Sequence, residues 1–312
     1  MLIESDTTSN DQPSKMSWSP SHLRASLATL LTSVYPNVPA EALTNKVITS
    51  FWGDKTKSRR RGRIASNSLW NEKDSYVICY GNSLVDGQHK PLDLLYDFLN
   101  KRLKGTINGV HILPYFPYTS DDGFAVTDYT AVDSRLGSWA DIQRIAEDFR
   151  LMSDLVLNHC SSQSNWFNAY RQGHSPWDQF FREALPTDDL SAVVRPRTNP
   201  LLRKVKTAMG ERHVWCTFSH DQVDLDFSNP EVLCEFLRIM RQHIEGGVRT
   251  FRLDAVAFLW KEVGTRCINL RQTHEIIRIL RILADYNEES IILITETNLP
   301  SVENLSYFGN RN

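Results

Sequence analysis

The chain has 312 residues, with 35 Lys and Arg against 37 Asp and Glu and a formal net charge of −2. That length suits one large α/β domain with additions, or two ordinary domains. The near balance of charge gives no electrostatic reason to expect nucleic acid or an anionic membrane as the main partner, so a small, mostly neutral substrate is expected. Five scattered cysteines without C-x-x-C spacing, no signal-like segment and no apolar run of spanning length argue for a reduced cytoplasmic location and against disulfides, zinc, secretion and membrane insertion.

Residues 1–14 are polar and read as a disordered tail. Residues 15–70 read as a helical N-terminal extension, because Leu23, Leu27, Leu30, Leu31 and Val34, then Leu43, Val47 and Ile48, recur at helical spacing. The basic run from Lys55 to Arg63 is read as a solvated or charge-paired loop. Its competitor, a polyanion site, requires affinity that collapses with salt.

From residue 71 short apolar runs alternate with amphipathic stretches, which argues for βα units and a parallel sheet. Strands are expected at Tyr76–Tyr80, Gly109–Pro114, Leu151–Leu157, Gly247–Leu253 and Ile291–Thr295. Pro91 opens a helix carrying Leu92, Leu95, Leu99 and Leu103, and Ser138 to Asp141 has the N-cap spacing of a helix running to Phe149. Another helix carries Ile276, Ile277, Leu280 and Leu283. Residues 71–160 and 222–312 form the two parts of the sheet domain, and the aromatic, Pro-rich interval 161–221 reads as an inserted subdomain, being far longer than an ordinary βα loop.

Two strands end in carboxylates, Asp254 and Glu296, a pattern that suits glycosidic-bond chemistry. Arg252 shares a strand face with Asp254 and is expected to hold it ionised, as a nucleophile requires; the bland alternative is a buried ion pair that only orders the strand. Glu296 is the proton-donor candidate, against a simple loop or helix-cap role. Asn158 and His159, at another strand end, offer hydrogen bonds to sugar hydroxyls.

The segments Gly109–Pro114, Asp154–His159, Gln222–Asp226, Gly247–Asp254 and Glu296 resemble, in order and spacing, the motif set of the α-amylase superfamily. His111–Pro117, Asp121–Phe124, Asp133–Trp139, Arg195–Arg197 and Lys261–Thr265 are similar to the sucrose phosphorylase group. Ile294–Asn298, Ser306–Gly309 and the helical extension are more similar to glucosylglycerate phosphorylases within it. This resemblance implies a (β/α)8 TIM barrel and a retaining phosphorylase that needs no metal or organic cofactor. Asp254 would be the nucleophile and Glu296 the acid/base. Asp121, Phe124, His159, Gln222 and Arg252 would serve the glucosyl pocket, and Arg197 would bind inorganic phosphate, to which its planar fork is suited.

The resemblance also implies a third carboxylate and strands six to eight, which have no counterpart in these residues. The chain is therefore expected to be an N-terminal part of a longer enzyme, with the barrel cut after about its fifth strand and inactive alone. An α-glucosidase or transglucosidase of the same superfamily is the alternative enzyme, and a non-catalytic binding protein on the same scaffold the alternative class. Neither the acceptor nor the oligomeric state is fixed by these residues.

Overall fold

The computed structural model describes residues 19–53, 69–287 and 290–308. The expected tail, the basic run Lys55–Arg63 and Gly309 lie outside them. Five strands form one all-parallel sheet: β1 (Tyr76–Cys79), β2 (Gly109–Ile112), β3 (Arg150–Val156), β8 (Val248–Asp254) and β9 (Ile292–Thr295), in the spatial order β1-β2-β3-β8-β9. These are the five expected strands, with ends moved by one or two residues.

Register decides what the concave face presents. Ile78, His111, Met152, Thr250 and Ile292 pair across one row, Asp154, Arg252 and Ile294 form the next, and Val156 pairs with Asp254 beyond it. Because side chains alternate along a strand, His111, Asp154, Arg252 and Asp254 share the concave side while Phe251 and Leu253, both fully buried, face the helices. Gly109 is required at its place: a Cβ there would lie 2.4 Å from the Tyr76 ring.

The covering helices follow from their apolar spacing. α3 (Pro91–Phe98) and α4 (Trp139–Asp148) sit where expected, α4 held by a Ser138–Asp141 capping box. α6 (Pro230–Glu245) was not anticipated, although Asn229 caps it and Pro230 fills its first turn; it buries Val232, Leu233, Phe236, Leu237 and Met240. α7 (Arg271–Asp285) buries Ile276, Ile277, Leu280 and Leu283. In the N-terminal extension, α1 (Pro20–Val34) and α2 (Ala40–Trp52) bury Leu23, Leu27, Leu31, Val34, Leu43, Val47 and Ile48. They dock against α7 and α6: Ser33 donates to Glu275 of α7 at 2.9 Å, and Lys46 pairs with Glu231 of α6.

Between β3 and α6 the chain forms an antiparallel pair, β4 (His159–Ser161) with β7 (Gln222–Asp224), and between them α5 (Asn165–Gln172) and a hairpin, β5 (Leu202–Thr207) with β6 (Gly210–Trp215). A small apolar cluster of Ala184, Leu201, Trp215 and Cys267 lies there, apart from the main core. Among the described residues no helix is long and apolar enough to cross a membrane. The short α8 (Ser301–Leu305) follows β9.

Candidate active site

The strand row fixes an ionic centre. Asp154, with no solvent exposure, accepts from His111 Nε2 at 2.8 Å and from Arg252 at 2.5 Å, and the same Arg252 nitrogen lies 2.9 Å from Asp254 Oδ1. One guanidinium therefore serves two carboxylates on neighbouring strands. Burial opposes the Arg252 charge, but the negative charges of Asp154 and Asp254 outweigh it and raise its pKa. Asp154 and His111 were not singled out from the sequence. The available signal was a charged residue inside an apolar run with a histidine on the preceding strand, but only the register brings the two together.

Asp254 is 8% exposed. Burial pushes its carboxyl up to about 7, the Arg252 charge pulls it down, and Glu296 and Asp154 push it up further. The sequence led to the expectation that Arg252 holds Asp254 ionised; the Arg252 charge does lower the pKa, but desolvation is the larger effect and leaves it at about 7. Ala255, which follows, adopts a left-handed conformation (φ 51°) unusual for a non-glycine residue. That turn aims the Ala255 N–H at Glu296 Oε2, which accepts it at 2.8 Å. The second guanidinium nitrogen of Arg252 lies 4.0 Å from the same oxygen. Asp254 and Glu296 thus flank a single cation, although Glu296, with its side chain 37% exposed, does not have the dry pocket expected of a proton donor.

The other expected residues assemble beside this centre. His159 Nδ1 lies 3.2 Å from Asn158 Nδ2, and its Nε2 lies 3.2 Å from the Phe124 carbonyl. The amide of Asn158 can only donate to Nδ1, which assigns the proton to Nε2, donating to Phe124 O. Burial lowers the His159 pKa to about 4, so the ring is neutral. Gln222 Nε2 donates to Asp121 Oδ2 at 2.7 Å and touches His159 Nε2 at 3.1 Å; with that nitrogen already protonated, the second approach is packing. The Phe124 ring sits 5.6 Å from the Arg252 guanidinium carbon. Asp121, Phe124, His159, Gln222, Arg252, Asp254 and Glu296 therefore form one connected set.

Two further features support that set. Lys261, 6% exposed, donates to Asn158 Oδ1 at 2.6 Å and pairs with Asp224 Oδ2 at 2.9 Å, fixing the amide that orients His159. Asp224 also accepts from Thr217. Arg197 stands apart: it is exposed, its one described hydrogen bond runs to the Pro196 carbonyl at 3.5 Å, and no described contact joins it to the carboxylates. A cavity of about 760 Å³ lies lower on the concave face, lined by Tyr76, Ile78, Met152, Thr250, Ile292 and Ile294 among others, and not by Asp254 or Glu296.

This set of side chains lies on the strand ends of a parallel sheet, and over the same part of the chain the profile of the "Alpha amylase, catalytic domain" family matches residues 101–312. The chain belongs to the α-amylase family. Among α-amylase family members, the chain is 48% identical to a glucosylglycerate phosphorylase of Allomeiothermus silvanus over 241 residues, 77% of this chain and 43% of that protein. It is 33% identical to a sucrose phosphorylase of Bifidobacterium adolescentis, over 66% of this chain and 42% of that one. The crystal structure of a sucrose 6F-phosphate phosphorylase from Thermoanaerobacter thermosaccharolyticum superposes with a TM-score of 0.64 at 29% identity, covering 76% of this chain and 50% of that one. The chain thus spans about 43% of the length of the first of these relatives.

Proposed function

We propose that this chain carries the glucosyl-transferring half of an α-glucoside phosphorylase. The observation that carries the reading is the pair Asp254 and Glu296 flanking Arg252, on a chain 48% identical to a glucosylglycerate phosphorylase. The Asp254 carboxylate attacks the anomeric carbon as the glycosidic C–O bond breaks, and Glu296 gives its proton to the departing oxygen. Inorganic phosphate then attacks the β-glucosyl-enzyme with Glu296 taking its proton, and α-glucose 1-phosphate leaves with Asp254 restored. The neutral His159, Asp121 and Gln222 hold sugar hydroxyls, Phe124 packs on the ring, and Arg197, carried by the 161–221 segment that serves as a subdomain over the strand ends, helps bind phosphate. No metal or organic cofactor enters the scheme, and the protein works in the cytoplasm.

The active protein closes its sheet into an eight-stranded barrel. Support comes from the sheet's two open edges, β1 and β9, and from Ile78 and Ile294 on the concave face, which are 65% and 43% exposed. Further strands would dry the Glu296 pocket and supply a third carboxylate. The test is phosphate-dependent release of α-glucose 1-phosphate by the whole enzyme, with glucosylglycerate and sucrose as donors. Equal donor cleavage with and without phosphate would reject the phosphorylase reading.

A further inference from the structure

Outside the reacting groups, one carboxylate gathers more hydroxyls than its place in the chain suggests. Asp221 Oδ2 accepts from Thr119 Oγ1 at 2.6 Å and from Ser120 Oγ, while its Oδ1 accepts from Ser162 Oγ at 2.8 Å and from Ser161 Oγ at 3.2 Å. The Ser162 N–H donates to the Asp221 carbonyl at 2.6 Å, and Thr119 and Ser161 hydroxyls meet at 2.6 Å. Three segments distant in sequence converge there: the loop after β2, the end of β4 and the turn before β7. Among the described residues no lysine, arginine or histidine forms an ion pair with Asp221. Burial opposes its charge, yet the hydroxyls outweigh that and hold the carboxyl below its ordinary value.

What this cluster grips is informative. Ser120 precedes Asp121, and Asp221 precedes Gln222, and those two neighbours make the 2.7 Å bond that faces His159. Asp121 and Asp122 both lie in the left-handed region (φ 56° and 49°), a conformation that aspartate adopts more readily than most residues but that still needs surrounding contacts to persist. The same loop ends in Phe124, whose carbonyl orients His159.

We propose that Asp221 is a positioning residue for the glucosyl pocket: its four-hydroxyl clamp fixes the 119–124 loop against β4 and β7, so that Asp121, Gln222 and the Phe124 carbonyl meet His159 in one arrangement. The inference deepens the proposed reading of this site and assigns Asp221 no contact with substrate. Asn at this position retains the clamp, because hydroxyls can accept from an amide as readily as they donate to a carboxylate, whereas Ala removes it.

Two readouts separate the clamp from the activity. In Asp221→Ala, amide hydrogen exchange at Phe124 and Ala125, which bond back to Asp121 and Ser120, speeds up by about tenfold or more while β3 amides are unchanged. With 4-nitrophenyl α-glucoside, a donor that needs the glucosyl pocket but no phosphate, the whole enzyme carrying Asp221→Ala shows KM raised about tenfold with kcat within about threefold; Asp221→Asn restores both. Unchanged loop exchange, or unchanged KM with only a lowered melting temperature, overturns the proposal. Should Asp221→Ala fail to fold, Ser120→Ala removes one hydroxyl and is read the same way. If the wild type cleaves glucosylglycerate and sucrose equally with and without phosphate, the phosphorylase reading falls and the clamp stands; if it does not cleave the nitrophenyl glucoside, the exchange result alone decides the clamp.

Discussion

The ends of β8 and β9 present the two proposed reactive carboxylates, Asp254 and Glu296, in opposite environments. β8 lies between β3 and β9, so Asp254 is shielded, hydrogen-bonded to Arg252 and pushed to a pKa of about 7. β9 is an edge, and Glu296 at its end is half open to water, held by one backbone N–H. The comparison teaches that position in the sheet, more than residue type, divides the work between two chemically similar groups. A central strand gives rigidity and burial; an edge strand gives access, and dryness must come from elsewhere.

The sharpest way to break this contrast is to remove each carboxyl in turn in the whole enzyme. Asp254→Asn is expected to lower kcat by about 10⁴-fold or more with every donor, since an amide cannot serve as the proposed nucleophile. Glu296→Gln is expected to lower kcat by about 10²–10⁴-fold with sugar leaving groups and far less with a 4-nitrophenyl donor, whose leaving oxygen needs no proton. Steady-state kinetics on paired donors checks both. A loss for Glu296→Gln that ignores the leaving group would remove the acid role.

Next in size is the cation that the carboxylates share. Arg252→Leu leaves Asp154 and Asp254 buried without their partner, and is expected to destabilise the chain by about 3–5 kcal/mol in urea unfolding. A change below about 1 kcal/mol would show that the ionic centre does not hold β3 to β8.

The raised pKa of Asp254 also has a signed consequence. Between its ordinary value of 3.8 and about 7, the folded chain keeps a proton that the unfolded chain has released. The Asp254 contribution to stability therefore falls as pH rises through that window and is flat above it. Asp254→Asn should stabilise the chain at pH 8 by about 4 kcal/mol at most, read as a higher melting temperature, and lose that advantage near pH 4. An advantage independent of pH would place its origin elsewhere. The smallest effect is expected at the edge: Ile294→Ala, on the exposed concave face, should change stability by about 0.5 kcal/mol or less in the chain as it stands.

How much was legible beforehand follows from the kind of force involved. The five strands were readable because buried parallel strands are apolar runs, and Asp254 and Glu296 were readable because each ends such a run. Helix α6 is marked by Asn229-Pro230 at its start and by Val232, Phe236 and Met240 at helical spacing, although it follows closely on the irregular 161–221 interval. The Lys261–Asp224 and Arg252–Asp154 pairs could not be read at all: each joins residues whose proximity exists only once strand register and the loops after β3 are set. The Asp254 pKa was misjudged because a neighbour in sequence was visible and depth of burial was not.

The docking of α1 and α2 against α7 and α6 sets an order of events during synthesis. Ser33 and Glu275 are 242 positions apart, so the N-terminal helices leave the ribosome long before the helices they lie against exist. At roughly 10 residues per second that interval is about 20 seconds, in which α1 and α2 can pack on each other but the faces they turn to α7 and α6 have no partner. Until α6 and α7 emerge, the apolar faces of α1 and α2 that they later cover stay open to solvent.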